Sequence, residues 1–247
     1  MSRSNPHEHA TNPAARWFEW NGENGTVRYY DKDAKKNVEV GPKFAFVLLD
    51  ELGSVRGWHE PSKSGIYSNE VRDTREDILI VKAFKGGLLA EGLYKEIKDR
   101  VNSVGGQFVA NCYIGFSNGG GALSMGSLRF KGAALGSWME FRKAHRSELY
   151  SKGVRIVGCT EGKKGRITYQ MPVFNLVDLT PETDAAAIAL DEQLQDYLTG
   201  YLGKTKRDQA EAAAGQHVSD EEIGATSGSN EPDYVELPPL TDDDIPF

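Results

Sequence analysis

Cysteines and long apolar runs are scarce in this sequence. Only two of the 247 residues are cysteine, and two cannot build the disulfide framework on which small secreted domains depend. No apolar run approaches the ~18–20 residues that span a bilayer, and the longest candidates are short pieces such as residues 44–49. The N-terminal residues also lack the apolar core and small-residue cleavage site of a secretory signal peptide. These absences predict a cytoplasmic protein.

Positive charge is missing from the C-terminal part of the chain. All 29 lysines and arginines lie at or before Arg207, whereas 11 of the 36 acids follow it and 25 precede it. Residues 1–207 therefore carry a net charge of +4 and residues 208–247 carry −11, which the overall charge of −7 conceals. A mildly basic body with a strongly acidic tail indicates a protein that binds nucleic acid or a charged partner.

Large apolar side chains are rare at both ends of the sequence. We expect residues 1–15 to form a mobile arm and residues 204–247 to be a disordered acidic tail, because neither segment can bury enough apolar surface to offset its ordering entropy. Residues 16–203 then form one domain. In the arm, His7, Glu8 and His9 lack the fixed geometry of a metal site, which needs about three or four converging ligands, and we assign no metal or other cofactor.

Short runs rich in Val, Ile, Tyr and Phe, separated by Gly, Asn, Asp and Lys, predict strands across the middle of the chain. A late hairpin is expected around a turn at residues 162–165, which has glycine at both edges. The expected bounds are 27–31, 43–50, 54–59, 66–71, 78–84, 107–117 and 122–131, with 154–160 and 166–177 for the hairpin.

Apolar residues at helical spacing predict three helices. The first runs from about Leu88 to Val104, and the second covers residues 134–149. The third begins at Thr180 as N-cap and ends near Gly203. A helix between the third and fourth of about five strands is the pattern of the OB-fold, a five-stranded Greek-key barrel that binds oligonucleotides. We therefore expect a mainly β OB-fold domain with extra strands and helices.

The sequence finishes on a distinctive motif. A terminal Phe offers a ring beside a free carboxylate, so a partner pocket with an apolar wall and a basic rim can hold both. The proline before it restricts Ile245 to an extended conformation, and the aspartates accelerate encounter with basic surfaces. A tail that served solubility alone would need no Ile-Pro-Phe end. We expect partner docking by Asp242, Asp243, Asp244, Ile245, Pro246 and Phe247.

This motif resembles the acidic tip of bacterial single-stranded-DNA-binding proteins. Because the body before the tail is long, the chain looks more like the phage-encoded members, a similarity carried also by Gly-Leu-Tyr-Lys at residues 92–95 and Gly-Ala-Ala-Leu-Gly at 132–136. The resemblance implies that the tail recruits replication, recombination and repair enzymes in a bacterial or phage-infected cell. It also implies that the tail can fold back over the basic DNA groove of the body.

Binding to single strands without sequence preference needs cations along the phosphates and aromatic faces on which bases stack. On the expected strands, alternation places Arg56 with Trp58, and Lys82 with Phe84. Arg129 and Lys131 share a face, and three more cations crowd the late hairpin. The candidate DNA contacts are Arg56, Trp58, Lys82, Phe84, Tyr113, Arg129, Lys131, Lys163, Lys164 and Arg166; Trp17, Trp20 and Trp138 are expected in the core.

No catalytic constellation is evident in the sequence. Residues 162–165 lack the glycine spacing and the Ser/Thr of a phosphate-binding loop, and Cys112 and Cys159 lack paired-ligand spacing. We therefore predict a non-enzymatic protein that coats single-stranded DNA during replication, recombination or repair. Two alternatives stay open: a strand-annealing or nuclease enzyme that carries the same tip, and a replication adaptor that does not bind DNA.

Overall fold

The computed structural model describes residues 11–41, 43–117 and 122–216, and these residues form a mainly β protein with three helices. The expected tip and most of the expected tail lie outside the described residues. The elements are β1 (Arg16–Asn21), β2 (Thr26–Asp31), β3 (Lys36–Gly41), β4 (Phe44–His59), β5 (Ser64–Ser68), β6 (Leu79–Ala83), β7 (Gly87–Gly92), α1 (Tyr94–Ser103), β8 (Gly106–Ser117), β9 (Leu123–Lys131), α2 (Gly132–Ala144), β10 (Gly153–Lys164), β11 (Ile167–Val177) and α3 (Pro181–Gln216).

One mixed sheet contains all of these strands, in the order β3-β2-β1-β9-β8-β4-β5-β6-β7. β1 runs parallel to β9, and the other pairs are antiparallel. The hairpin β10–β11 joins the first half of β4 through Gly153 to Ile156. Among the described residues β3 and β7 are the two ends of this order and do not pair with each other, and β11 pairs only with β10, so the sheet is branched and β3, β7 and β11 are its edge strands.

The 16-residue strand β4 organises the molecule. Its length lets the first half pair with β10 and β8, while the second half pairs with β8 and β5. We predicted two separate strands here, 43–50 and 54–59. In the structure Glu51 stays in the ladder opposite Cys112, and its carboxylate accepts a hydrogen bond from the indole of Trp138 at 2.8 Å.

Three apolar cores lie on the two faces of the sheet. On one face, Phe130 stacks on Trp138 of α2 with ring centroids 5.2 Å apart, and this core extends under the hairpin β10–β11. A second core joins the α1 residues Ile97 and Val101 to inward residues of β4 to β7. The third lies on the opposite face, beneath α3, and contains Val47, Leu49, Leu52, Tyr113, Met125, Ala187, Leu194 and Leu198.

The first helix is shorter than predicted. We expected it to begin near Leu88, but residues 87–92 form β7, which pairs with β6. Leu89 and Ala90 are buried in that strand, so the helical spacing of Leu89 relative to Ile97 and Val101 is incidental. Gly92, the last residue of β7, has φ +145, a backbone conformation that favours glycine, and α1 begins only at Tyr94.

Two expected boundaries at the ends of the domain also change. Residues 11–15 were predicted to be part of a mobile arm, yet Ala14 is buried in the third core and the Ala15 N–H donates to the Met125 carbonyl at 2.8 Å. α3 was expected to end near Gly203, but it continues to Gln216, so the first part of the predicted disordered tail is helical. Residues 204–216 include three successive alanines, and alanine is the strongest helix former among the amino acids.

Candidate nucleic-acid interface

Strand pairing places three of the polar and aromatic side chains side by side on neighbouring strands. Arg56 of β4 lies directly opposite Tyr67 of β5, and Tyr67 lies opposite Lys82 of β6. Directly opposite residues in antiparallel strands point to the same face of the sheet. Arg56, Tyr67 and Lys82 therefore form a row across three strands, and all three are half-buried.

Two further rings extend this row toward the end of β4. Trp58 follows Arg56 at the spacing of two that keeps side chains on one face, and it lies opposite Gly65. The Phe84 N–H donates to the Gly65 carbonyl at 3.1 Å, and its ring centroid lies 4.8 Å from that of Tyr67. Trp58 donates its indole N–H to Glu60 at 3.1 Å. We call Arg56, Trp58, Tyr67, Lys82 and Phe84 the aromatic–basic face.

Two of the helices, α1 and α2, pack on the opposite side of these strands and do not cover the aromatic–basic face. Val55, Ile66 and Val81 alternate with its residues and point into the second core, against α1. α2 packs on that same opposite side, since Trp138 contacts Phe130 of β9. The aromatic–basic face is therefore turned away from both α1 and α2.

Arg129 and Lys131 continue the face across β8 onto β9. Arg129 lies opposite Asn111, and Lys131 lies opposite Val109. In turn, β8 places Gln107 opposite Arg56, so these residues share the side of the sheet that carries the aromatic–basic face. Lys131 is exposed, whereas Arg129 is half-buried.

Tyr113 is on this side too, but α3 covers it. It is fully buried, its hydroxyl donates to Glu70 Oε2 at 2.8 Å, and the Asn12 side-chain amide donates to that hydroxyl at 3.0 Å. The Glu70 N–H donates to the Tyr201 hydroxyl of α3 at 2.9 Å. The prediction that Tyr113 stacks on a base is wrong for this arrangement, because the helix occupies the space above its ring.

Burial shifts the pKa values of several side chains around Tyr113. We call Arg56, Glu70, Tyr113, Arg129 and Tyr201 the polar cluster. Desolvation, with repulsion from Arg129, lowers the pKa of Arg56 to about 10. Burial raises the pKa of Glu70 above its ordinary range, although Tyr113 and Arg56 favour the charged form. It also raises the pKa of Tyr113, and that of Tyr201 to about 12. At neutral pH Arg56 is charged and both tyrosines are protonated.

The hairpin cations lie elsewhere. β10 runs antiparallel to β4 and passes beyond Phe44, so its tip extends from the opposite end of β4 to that bearing Trp58. The turn is Gly165–Arg166, tighter than the expected 162–165, since Lys164 pairs with Ile167. Lys163, Lys164 and Arg166 are exposed there. The structure thus separates these three predicted contacts from the aromatic–basic face.

Possible catalytic groups make only limited contacts. The His59 Nδ1 lies 2.6 Å from Ser62 Oγ, a pair that the sequence pattern does not indicate, and Ser62 continues to Ser64 at 2.9 Å. Because Ser64 accepts the Lys85 N–H, this chain stabilises the turn after β4. Burial raises the pKa of the Cys112 thiol well above its usual value. Within the described segments no three His, Cys, Asp or Glu side chains cluster closely enough to hold a metal ion.

Two aromatic assignments from the sequence need correction. Tyr67 was missed, although its alternation with the core residue Ile66 was a usable signal. Trp17 was expected in the core with Trp20 and Trp138, but it is 38% exposed, whereas those two are buried. Alternation along β1 turns Trp17 to the side opposite the buried Phe18 and Trp20.

No family model, curated protein or solved structure matches this chain. None of the helices in the described part of the chain has the length and apolarity needed to cross a bilayer.

Proposed function

We propose that this protein binds single-stranded DNA on the aromatic–basic face and protects it during replication, recombination or repair. One observation carries the proposal: the rings of Trp58, Tyr67 and Phe84 lie beside Arg56 and Lys82 on adjacent strands. Rings offer stacking surfaces to bases, and cations track the phosphates. Bases in a duplex are already stacked, so such a face favours single strands, and its stacking does not depend on base identity.

The strand arrangement supports an OB-type domain as part of this proposal. β6, β5, β4, β8 and β9 are neighbours in that order, and α1 precedes β8 as a helix between the third and fourth barrel strands would. In that scheme the remaining strands and helices are additions to the five-stranded unit. Oligonucleotide-binding domains of this type use one sheet face and adjoining loops, as the aromatic–basic face does here.

The acidic end of the chain completes the proposal. Asp242, Asp243, Asp244, Ile245, Pro246 and Phe247 dock host or phage replication and recombination enzymes onto the DNA-bound protein. The charge of residues 208–247, −11, keeps this tip away from phosphates and favours basic partner pockets. The protein then acts in the cytoplasm of a bacterial or phage-infected cell, without chemistry of its own.

Titration of the full-length protein with oligo-dT tests the proposal most directly. Tryptophan fluorescence should be quenched as bases stack near Trp58, and the affinity should fall steeply with salt because phosphate contacts release counterions. Absence of both quenching and a salt-sensitive shift at low salt would exclude DNA coating and favour the adaptor. Metal-dependent degradation, or annealing of labelled strands, would instead favour the enzyme.

We expect the hairpin cations to matter only for long strands. Changing Lys163, Lys164 and Arg166 to alanine should leave the affinity for an oligo-dT of about eight nucleotides within twofold, because the hairpin tip and Trp58 belong to opposite ends of β4. For an oligo-dT several times longer, the affinity of the variant should fall about tenfold, and its dependence on salt concentration should be weaker. Fluorescence anisotropy measures both. Equal losses of affinity for the short and the long oligo-dT would contradict the separation of the hairpin cations from the aromatic–basic face.

Deletion of residues 242–247 should separate the two activities. DNA affinity should stay equal or become tighter, since three aspartates are removed, whereas capture of host enzymes from an extract should be lost. Pull-down followed by mass spectrometry, beside the oligo-dT titration, measures both. The matched control replaces Asp220, Glu221 and Glu222 with asparagine or glutamine, which removes the same charge and should retain capture. A marked loss of DNA affinity in the deletion variant would contradict the proposal.

A further inference from the structure

Two arginines of the polar cluster beneath α3 each keep one buried donor without a hydrogen-bond partner in the described part of the chain. The Nε–H groups of both Arg56 and Arg129 are buried and have no hydrogen-bond partner among the described residues. The Oδ1 atom of Asn111, directly opposite Arg129, is buried without a partner as well. Asn111 uses its amide to donate to Ser54 Oγ at 2.7 Å. Unsatisfied buried polar groups are rare in folded proteins and call for an explanation such as a bound water or ion.

The charges of this cluster do not balance. Glu70 is the carboxylate that interacts with both arginines, and it is already engaged by the Tyr113 hydroxyl. Nearby acids have other partners, since Glu19 pairs with Arg28 and Asp50 pairs with Arg72. Two guanidinium groups and one carboxylate leave an excess positive charge, and an unpaired buried charge is costly.

We infer that Arg56 and Arg129 form an anion pocket beneath Tyr201 of α3, and that its ligand is a phosphate group of the bound strand. The inference rests on the proposed function for the identity of the ligand. Guanidinium groups present N–H donors in a planar fork that matches phosphate oxygens. Because Arg56 lies opposite Tyr67, a phosphate held there adjoins the rings on which its neighbouring bases stack.

The pocket also gives α3 a role at the interface. Tyr201 accepts the Glu70 N–H and so holds the helix against the cluster, while Gln195, earlier in the same helix, donates to Asp50 at 3.1 Å. The phosphate must therefore enter beside the Tyr201 end of α3, from the aromatic–basic face. This geometry places one phosphate deeper than the others, in contrast to the solvent-exposed contact that Lys131 can make.

Thermal unfolding of the full-length protein in phosphate and in chloride of equal ionic strength tests the pocket. Phosphate at about ten times its dissociation constant should raise the wild-type midpoint by on the order of 3 °C. Arg129→Gln should abolish this rise without lowering the midpoint in chloride, because it removes a repelled cation. Glu70→Gln should increase the rise, because it removes the competing carboxylate. Arg155→Gln, an exposed arginine on β10, is the matched control and should respond like wild type.

Oligo-dT titration of the same proteins distinguishes this pocket from the proposed function. If oligo-dT binds wild type and Arg129→Gln equally and phosphate shifts neither midpoint, the pocket is excluded and the DNA-binding face stands. A phosphate response without oligo-dT binding supports a pocket for free anions and excludes the proposed function. A lower midpoint of Arg129→Gln in chloride, with no phosphate effect on wild type, would show that the arginine serves the fold.

Discussion

Replacing Trp58 and Phe84 together with alanine should weaken oligo-dT binding on the order of 30-fold to 10⁴-fold. Each ring is expected to stack on one base, and each stacked base contributes about 1–3 kcal/mol, so two independent rings give about 2–6 kcal/mol. The salt slope should change little, because no phosphate contact is removed. Fluorescence anisotropy of a labelled oligo-dT, measured at several salt concentrations, gives both quantities.

The control for this variant is Tyr150→Ala. Tyr150 is 60% exposed and follows α2, which packs on the other side of the sheet, so its loss should leave affinity within twofold. Circular dichroism must show that the double variant retains its fold, which we expect because both rings are only half-buried. Retention of wild-type affinity in the folded double variant would exclude the aromatic–basic face as the binding surface.

The change Trp138→Ala should destabilise the protein by at least about 3–5 kcal/mol. Trp138 is fully buried and contacts the rings of Phe46, Phe130 and Phe174, so alanine leaves a large cavity between α2 and the sheet. Its indole also donates to Glu51 at 2.8 Å. Burial raises the pKa of Glu51 even with this partner present, and losing the donor leaves that carboxylate less stabilised.

Urea unfolding followed by circular dichroism measures this change in the free energy of unfolding. Trp17→Ala is the matched control, because Trp17 is 38% exposed and the Lys32 ammonium lies 5.9 Å from its ring centroid. We expect the control to lose about 1 kcal/mol or less. Comparable losses in the two variants would mean that the core under α2 does not hold the fold together as the structure indicates.

Much of the interface could be predicted from local alternation. A strand places every second residue on one face, so alternation alone pairs Arg56 with Trp58, and Lys82 with Phe84. Tyr67 follows from the same rule beside the buried Ile66. These assignments depend only on near neighbours in the chain, which is why they survive errors of one or two residues in strand boundaries.

The course of α3 could not be predicted in the same way. The apolar stripe of Leu194 and Leu198 indicates a buried helix face, but no local signal says which sheet face receives it. Only the tertiary structure lays the helix over Tyr113 and brings Tyr201 to Glu70. That placement converts an expected stacking residue into a buried hydrogen-bond donor, and it creates the cluster around Arg56 and Arg129.

The sequence alone determined that a basic, strand-rich body precedes an acidic tail with an apolar tip, because charge order and residue alternation are properties of the chain itself. The tertiary structure decided which of the predicted contacts adjoin one another. Arg56 meets Tyr67 and Lys82 through strand pairing, whereas Lys163, Lys164 and Arg166 are carried to the other end of β4. Both outcomes depend on long-range backbone hydrogen bonds, whose partners are distant in sequence and leave no local pattern to detect.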